Sequence, residues 1–284
     1  MKGIERLFAQ DLPVEGLAPT ADEPAAKTPA VPGREGVYFL DEALPGAEAG
    51  GVAASNDPAP SNPILPLVVV EPPLGQPTGL LRGFYEPRHP HRESMALLRT
   101  QLLLQMDSPS DMMAIAVVGS HPGEGRSLVA AELALTLASM GRPTLLLDTD
   151  LRKPSQHRLF DIPGDAGGLS RALETGLLPI YYGVKGAPCL SVIPAGPLPH
   201  NPLELLSGQP FESLLHTLQA DFDFIVTDTP PFAAYADGFA IGSITQHVLT
   251  VHRAGHTPQR SAAQMQRDLQ SARVAVLGAV VTHF

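Results

Sequence analysis

Cysteine, tryptophan and long apolar runs are what this 284-residue sequence most lacks. A single cysteine, Cys189, excludes an internal disulfide framework and fits a reducing compartment. Its apolar neighbours point to core packing and not to a nucleophile. Tryptophan is absent and aromatic residues make up only 5%. Bases are outnumbered, with 19 Lys and Arg against 29 Asp and Glu and a formal net charge of −10. That balance argues against a nucleic-acid partner, which calls for a basic patch or stripe. The best apolar cluster, Ile64-Leu-Pro-Leu-Val-Val-Val70, is bracketed by Pro63 and Pro72 and is too short to span a bilayer. The N-terminus shows no apolar core followed by a small-residue cleavage site, so no secretory signal is expected. Membrane association is therefore expected to be peripheral or through a partner. Hydrophobic residues at 44% suffice to bury a full core, which predicts one globular domain plus an extra segment.

Half of the chain's 30 prolines fall in the first 90 residues, mixed with Ala, Gly, Glu and Asp. Such a stretch buries little apolar surface and does not offset its chain entropy, so residues 1–90 are expected to be largely irregular. Met1–Gln10 is the exception, because Ile4, Leu7 and Phe8 fall at helical spacing. From His91 the composition changes to helix formers with a continuous apolar face, and the folded domain, 91–284, is expected to begin there. Downstream the pattern predicts helix 127–140, strand 143–148, a short helix at 168–174, strand 189–194, helices 202–206 and 210–219, and strand 223–228. Helix 237–243, strand 246–252, helix 258–272 and strand 274–281 complete the series. Strands alternating with helices imply an α/β fold, a mostly parallel central sheet flanked by helices on both faces. No internal repeat is present.

Three motifs carry the chemistry. The first is Ser120-His-Pro-Gly-Glu-Gly-Arg-Ser-Leu128, placed between the apolar run Ala114–Gly119 and a helical pattern from Val129. Strand, glycine loop and helix in that order suit phosphate binding, since loop N–H groups and the positive helix end cradle anions. A Gly-x-Gly-x-Ser string alone is no more than a turn, so the other two motifs decide. Thr144-Leu-Leu-Leu-Asp148-Thr-Asp150-Leu-Arg152 is a strand ending in two carboxylates and a cation. Phe222-Asp-Phe-Ile-Val-Thr-Asp228-Thr-Pro-Pro231 is a second strand, ending in a carboxylate and a rigid turn. In an open parallel sheet all three would meet beyond the strands' carboxyl ends.

Together these motifs resemble the bacterial tyrosine kinases of exopolysaccharide and capsule synthesis, a P-loop NTPase family akin to the deviant-Walker partition and cell-division ATPases. The likeness covers roughly residues 91–284 and implies a doubly wound P-loop fold with ATP and Mg²⁺ as cofactors. In that family Pro122, Gly123, Glu124, Gly125, Arg126, Ser127 and Leu128 fall on the nucleotide-binding loop, Asp148, Asp150 and Arg152 on the Walker A′ motif, and Asp228 on Walker B. Phosphoryl transfer depends mostly on positioning and charge neutralisation. Ser127 would then donate its hydroxyl oxygen to Mg²⁺, with Asp228 and a carboxylate of the Asp148/Asp150 pair, Asp150 foremost, holding the metal's waters. The A′ aspartates would orient or deprotonate a tyrosine hydroxyl, and Arg152 would pair with those carboxylates or with phosphate. The resemblance further implies a cytoplasmic protein, peripheral to the inner membrane, working with a polysaccharide co-polymerase or chain-length determinant partner and self-assembling.

The chain departs from the family pattern in four places. Arg126 stands where the family has lysine, and a planar forked guanidinium is no conservative replacement for a compact ammonium; turnover is expected to fall. No tyrosine cluster follows the last predicted strand, the five tyrosines being Tyr38, Tyr85, Tyr181, Tyr182 and Tyr235. The assembly helix keeps two of three positions of Glu-x-x-Arg-x-x-Arg, with Glu93, Ala96 and Arg99. Thr282 and His283 stand where an asparagine near the base is expected. The sequence therefore leaves three functions open: an active or degenerate nucleotide-dependent kinase, an interaction scaffold that no longer uses nucleotide, and a partition-type ATPase. The last is disfavoured, because such proteins carry an extra lysine early in the loop where Ser120 and His121 stand. Ser120 lacks the Gly-x-Ser-x-Gly context of a hydrolase nucleophile. The ten histidines show no metal-ligand spacing, and the Tyr181-Tyr182 pair reads as packing.

Overall fold

The structure is a computed structural model that describes residues 67–70, 81, 90–105, 113–164 and 167–283. The amphipathic pattern at Met1–Gln10, Tyr38 and Tyr85 lie outside the described residues. Among the described residues eight strands form one sheet: β1 (Leu67–Val70), β2 (Met113–Gly119), β3 (Thr144–Asp148), β4 (Tyr181–Val184), β5 (Ala187–Ile193), β6 (Phe224–Asp228), β7 (His247–Arg253) and β8 (Ala275–Thr282). Their order across the sheet is β1-β4-β5-β3-β6-β2-β7-β8. All neighbours are parallel except β4 and β5, which form an antiparallel hairpin. The helices are α1 (Pro90–Leu103), α2 (Arg126–Ala138), α3 (Gln156–Leu159), α4 (Leu169–Thr175), α5 (Pro202–Ser207), α6 (Gln209–Leu218), α7 (Asp237–Thr245) and α8 (Gln259–Ser271). The predicted α/β class and mostly parallel sheet are what the structure has, and the predicted elements fall within a few residues of the observed ones.

Two strands depart from expectation. Leu67–Val70 lies in the proline-rich segment expected to be irregular, yet it pairs with β4 at the sheet edge. A Leu-Val-Val-Val run favours the extended backbone, and an edge position tolerates nearby prolines because one side of the strand makes no ladder bonds. Strand β4 went unpredicted because it is short and sits between Pro179 and Gly186. It turns back on β5 through Lys185-Gly186, where Gly186 takes φ 85°. Tyr182 is buried and Tyr181 meets Phe222 edge to face at 5.9 Å, so both tyrosines pack.

The central strands β2, β3 and β6 are buried along their whole length, as expected for parallel strands covered on both faces. One core layer sets Ile115, Val117, Leu146 and Val226 against Leu133, Leu135 and Leu137 of α2. The opposite layer sets Ala116, Leu145, Leu147 and Ile225 against Phe211, Leu215, Ile241 and Leu269 of α6, α7 and α8. Cys189 is half-buried against the first layer. Among the described residues no helix is long and apolar enough to cross a membrane. Arg99 of α1 turns toward the end of α2, its Nη1 donating to the Thr136 carbonyl at 3.5 Å and the Ser139 hydroxyl at 3.4 Å.

Candidate active site

Register brings the three motifs together. Asp228 of β6 is the Cα partner of both Val117 on β2 and Asp148 on β3, so the loop after β2 and the carboxylates ending β3 and β6 open at the carboxyl ends of these central strands. The loop itself depends on glycine. Gly123 and Gly125 have φ of 78° and 89°, a left-handed backbone that other residues enter at a cost. A Cβ at Gly119 would overlap the Glu124 carboxylate and the Val251 carbonyl.

Four successive loop carbonyls are engaged by side chains. His121 O accepts from Arg126 Nη1 at 2.6 Å and Gly123 O from Arg253 Nη1 at 3.2 Å. Glu124 O accepts from Thr282 Oγ1 at 2.9 Å, and the His256 ring nitrogen Nε2 lies 3.1 Å from Pro122 O. His121 Nε2 also meets Ser261 Oγ at 2.9 Å, tying the loop to α8. The first-turn N–H groups of α2 lack intrahelical acceptors, and a glycine loop leading into such a helix start is a backbone arrangement suited to phosphate. Thr282, which stands where the resemblance expects an asparagine, thus also holds the loop.

Arg126 is buried and its guanidinium is already bonded. Nε donates to Thr229 O at 3.1 Å and Nη1 to His121 O, and Glu124 Oε2 lies 3.7 Å from Nη1. Glu124 is itself buried, its Oε1 accepting from Thr257 Oγ1 at 2.6 Å. The arginine thus joins the loop to the turn that follows Asp228.

The carboxylates divide the work. Asp148 Oδ1 accepts from Asp150 N at 3.2 Å, and Oδ2 from Ser155 N at 3.1 Å and Gln156 N at 3.0 Å, so both its oxygens shape the turn after β3. Asp150 Oδ1 accepts from the amides of Arg152 and Lys153 at 3.2 and 2.9 Å; its other oxygen lies outside these bonds. Asp228 Oδ2 accepts from Gln156 Nε2 at 2.8 Å, while its buried Oδ1 meets no protein donor. That orphaned oxygen, with the Ser127 hydroxyl acting on the same carboxylate, fits a hydrated Mg²⁺, an ion of hard oxygen ligands that keeps several waters.

Arg152 is placed differently from its expected pairing. Its Nε and Nη2 form a two-pronged bond with Asp237 Oδ2 and Oδ1, at 2.7 and 3.0 Å, and its guanidinium stacks 4.0 Å above the Tyr235 ring. It pairs with α7 because Asp237 is fully buried there and a planar fork satisfies both carboxylate oxygens at once. Two residues that sequence reading missed are therefore Asp237, an acid at a helix start with no motif around it, and Gln156, an ordinary glutamine by composition.

Burial pushes Asp148 well above the usual carboxylate range, and the charge of Asp228 adds to the rise. Burial likewise lifts Asp228 to about 6, with the Gln156 amide, the Ser127 hydroxyl and Arg126 opposing it. A carboxyl whose folded pKa is raised gives stability that is complete below its unfolded pKa and is lost as pH rises through the folded one. For Asp228 the window runs from about pH 4 to pH 6. Asp228→Asn removes this loss, so its melting temperature relative to the parent is expected to climb between pH 4 and pH 7. Paired thermal melts across that range check it; a constant difference would mean that Asp228 ionises normally.

Comparison with known proteins agrees with this geometry. The family model described as ParA, NUBPL iron-transfer P-loop NTPase, matches residues 112–237. Over 197 residues the chain is 32% identical to the tyrosine-protein kinase YwqD of Bacillus subtilis, spanning 69% of this chain and 82% of that protein. The crystal structure of the VpsO kinase domain superposes with a TM-score of 0.61 at 32% identity, covering 68% of this chain and 97% of that domain. The septum site-determining protein MinD of Pyrococcus horikoshii, solved with Mg-ADP, shares 19% identity and a TM-score of 0.52, over 60% of this chain and 70% of its own. That last likeness is one of fold.

Proposed function

Because the chain belongs to the bacterial tyrosine-protein kinase family, we propose that it binds ATP with Mg²⁺ and regulates exopolysaccharide polymerisation and export beside an inner-membrane chain-length co-polymerase. Its place is the cytoplasm, peripheral to the membrane through that partner, and its phosphotransfer is reduced or lost. The observation that carries this reading is Arg126: it stands in a glycine loop that leads into a helix start, yet its Nε and Nη1 already donate to Thr229 O and His121 O, which tether the guanidinium within the protein.

In the full reaction a tyrosine phenolic oxygen attacks the γ-phosphorus, the bond to the bridging oxygen of the leaving ADP breaks, and the phenol proton passes to a carboxylate. Asp150 suits that last role, since one of its oxygens lies outside the turn, whereas both oxygens of Asp148 are held by backbone amides. Ser127 and Asp228 would hold Mg²⁺, which supplies charge neutralisation at the phosphates. Loop N–H groups bind and orient the phosphate chain. What is weakened is the mobile cation at the β- and γ-phosphates, because a guanidinium tethered at two carbonyls does not swing as freely as a lysine ammonium on its flexible stem.

A nucleotide-independent scaffold is the second reading, favoured by the same anchored arginine. Calorimetric titration of the full chain with ATP, with and without Mg²⁺, separates the two. Binding with Kd below about 1 mM, an affinity near −4 kcal/mol, together with little phosphotyrosine on immunodetection, is expected. Absence of heat at millimolar ATP would leave the scaffold.

A further inference from the structure

Among the described residues, the Gln156 side chain touches two of the motifs while its backbone touches the third. It is fully buried at the start of α3. Its Nε2 donates to Ser127 O at 3.0 Å, on the phosphate loop, and to Asp228 Oδ2 at 2.8 Å, on the Walker B strand. Its backbone N–H donates to Asp148 Oδ2 at 3.0 Å, on the A′ strand. Both partners of Nε2 are acceptors, which fixes the amide orientation. Its Oε1 is then left buried without a protein donor, as is Asp228 Oδ1. Two orphaned buried acceptors in one site are costly unless a ligand satisfies them, and a hydrated cation carries the donors that would.

We propose that Gln156 is a positioning residue of the Mg²⁺–nucleotide site. Its amide locks Asp228 Oδ2 to the Ser127 carbonyl, leaving Asp228 Oδ1 and its own Oε1 to accept hydrogen bonds from the waters of the bound ion. The inference rests on the reading of this site as one for Mg²⁺ and nucleotide.

The test is nucleotide affinity of the full chain measured by calorimetry, once with ATP in chelator and once with ATP and Mg²⁺. Gln156→Met keeps side-chain length and removes both amide bonds, and Gln156→Asn keeps the amide but shortens its reach. Loss of residues that orient metal ligands costs about 10–100-fold in metal affinity. Both variants are therefore expected to bind metal-free ATP within about twofold of the parent and to lose about tenfold or more of the gain that Mg²⁺ gives. A parent that gains from Mg²⁺ beside folded variants that keep the full gain overturns the positioning role alone. Equal losses with and without Mg²⁺ overturn it too, since they mark a merely structural residue. A parent that binds ATP in neither condition overturns the nucleotide reading and this inference with it. Thermal melts on the same samples establish folding; should Gln156→Met not fold, Gln156→Asn decides.

Discussion

Arg126→Lys is expected to raise phosphotyrosine formation by about tenfold or more, equivalent to roughly 1.4 kcal/mol of transition-state stabilisation, while lowering stability. In the parent, Nε and Nη1 serve Thr229 O and His121 O, and the arginine is 7% exposed. Lysine has one ammonium on a flexible stem and cannot hold both carbonyls, so at least one buried acceptor loses its partner, at about 1–3 kcal/mol. The same looseness lets a compact charge swing to the phosphates of a bound nucleotide. Radiolabel transfer from ATP to a tyrosine acceptor, run beside thermal melts, reads both effects. A folded lysine variant with no gain in transfer would place the defect elsewhere, in the acceptor or the partner.

The second large effect is one of stability. Arg152→Ala is expected to cost about 3–5 kcal/mol, because it leaves the fully buried Asp237 carboxylate without either of its guanidinium bonds. For a domain of this size about 1 kcal/mol moves the melting point by roughly 2–4 °C, so a fall on the order of 10 °C should be seen. Removing Asp237 as well should restore part of it, since the orphaned charge goes with the partner. A variant that melts like the parent but binds ATP poorly would instead put Arg152 on the phosphates.

Reading order along the chain was enough for the phosphate loop and the two acidic strands. Gly123 and Gly125 mark a backbone that takes positive φ, and the apolar runs before Ser120, Asp148 and Asp228 mark buried strands, all local signals within one element or one turn. Strand β1 escaped because prolines beside Leu67–Val70 mask its pattern, and β4 because so short a strand leaves no period to count. The partners of the cations escaped for another reason. Arg152 finds Asp237 and Arg126 finds Thr229 far along the chain, and nothing near either arginine names its acceptor.

What the sequence by itself determined is the fold class, the order of the elements other than β1, α3 and β4, and the glycine loop between β2 and α2, since periodicity, glycine conformation and strand-end carboxylates are properties of neighbouring residues. What only the tertiary structure decided is how each polar group is spent. Arg126 anchors two carbonyls, Arg152 neutralises a buried acid, Thr282 holds the loop, and Gln156 joins three motifs. The physical reason is that burial strips water from these groups, so each must take the partner that parallel packing of β2, β3 and β6 brings within reach, and that proximity is set by strand order across the sheet.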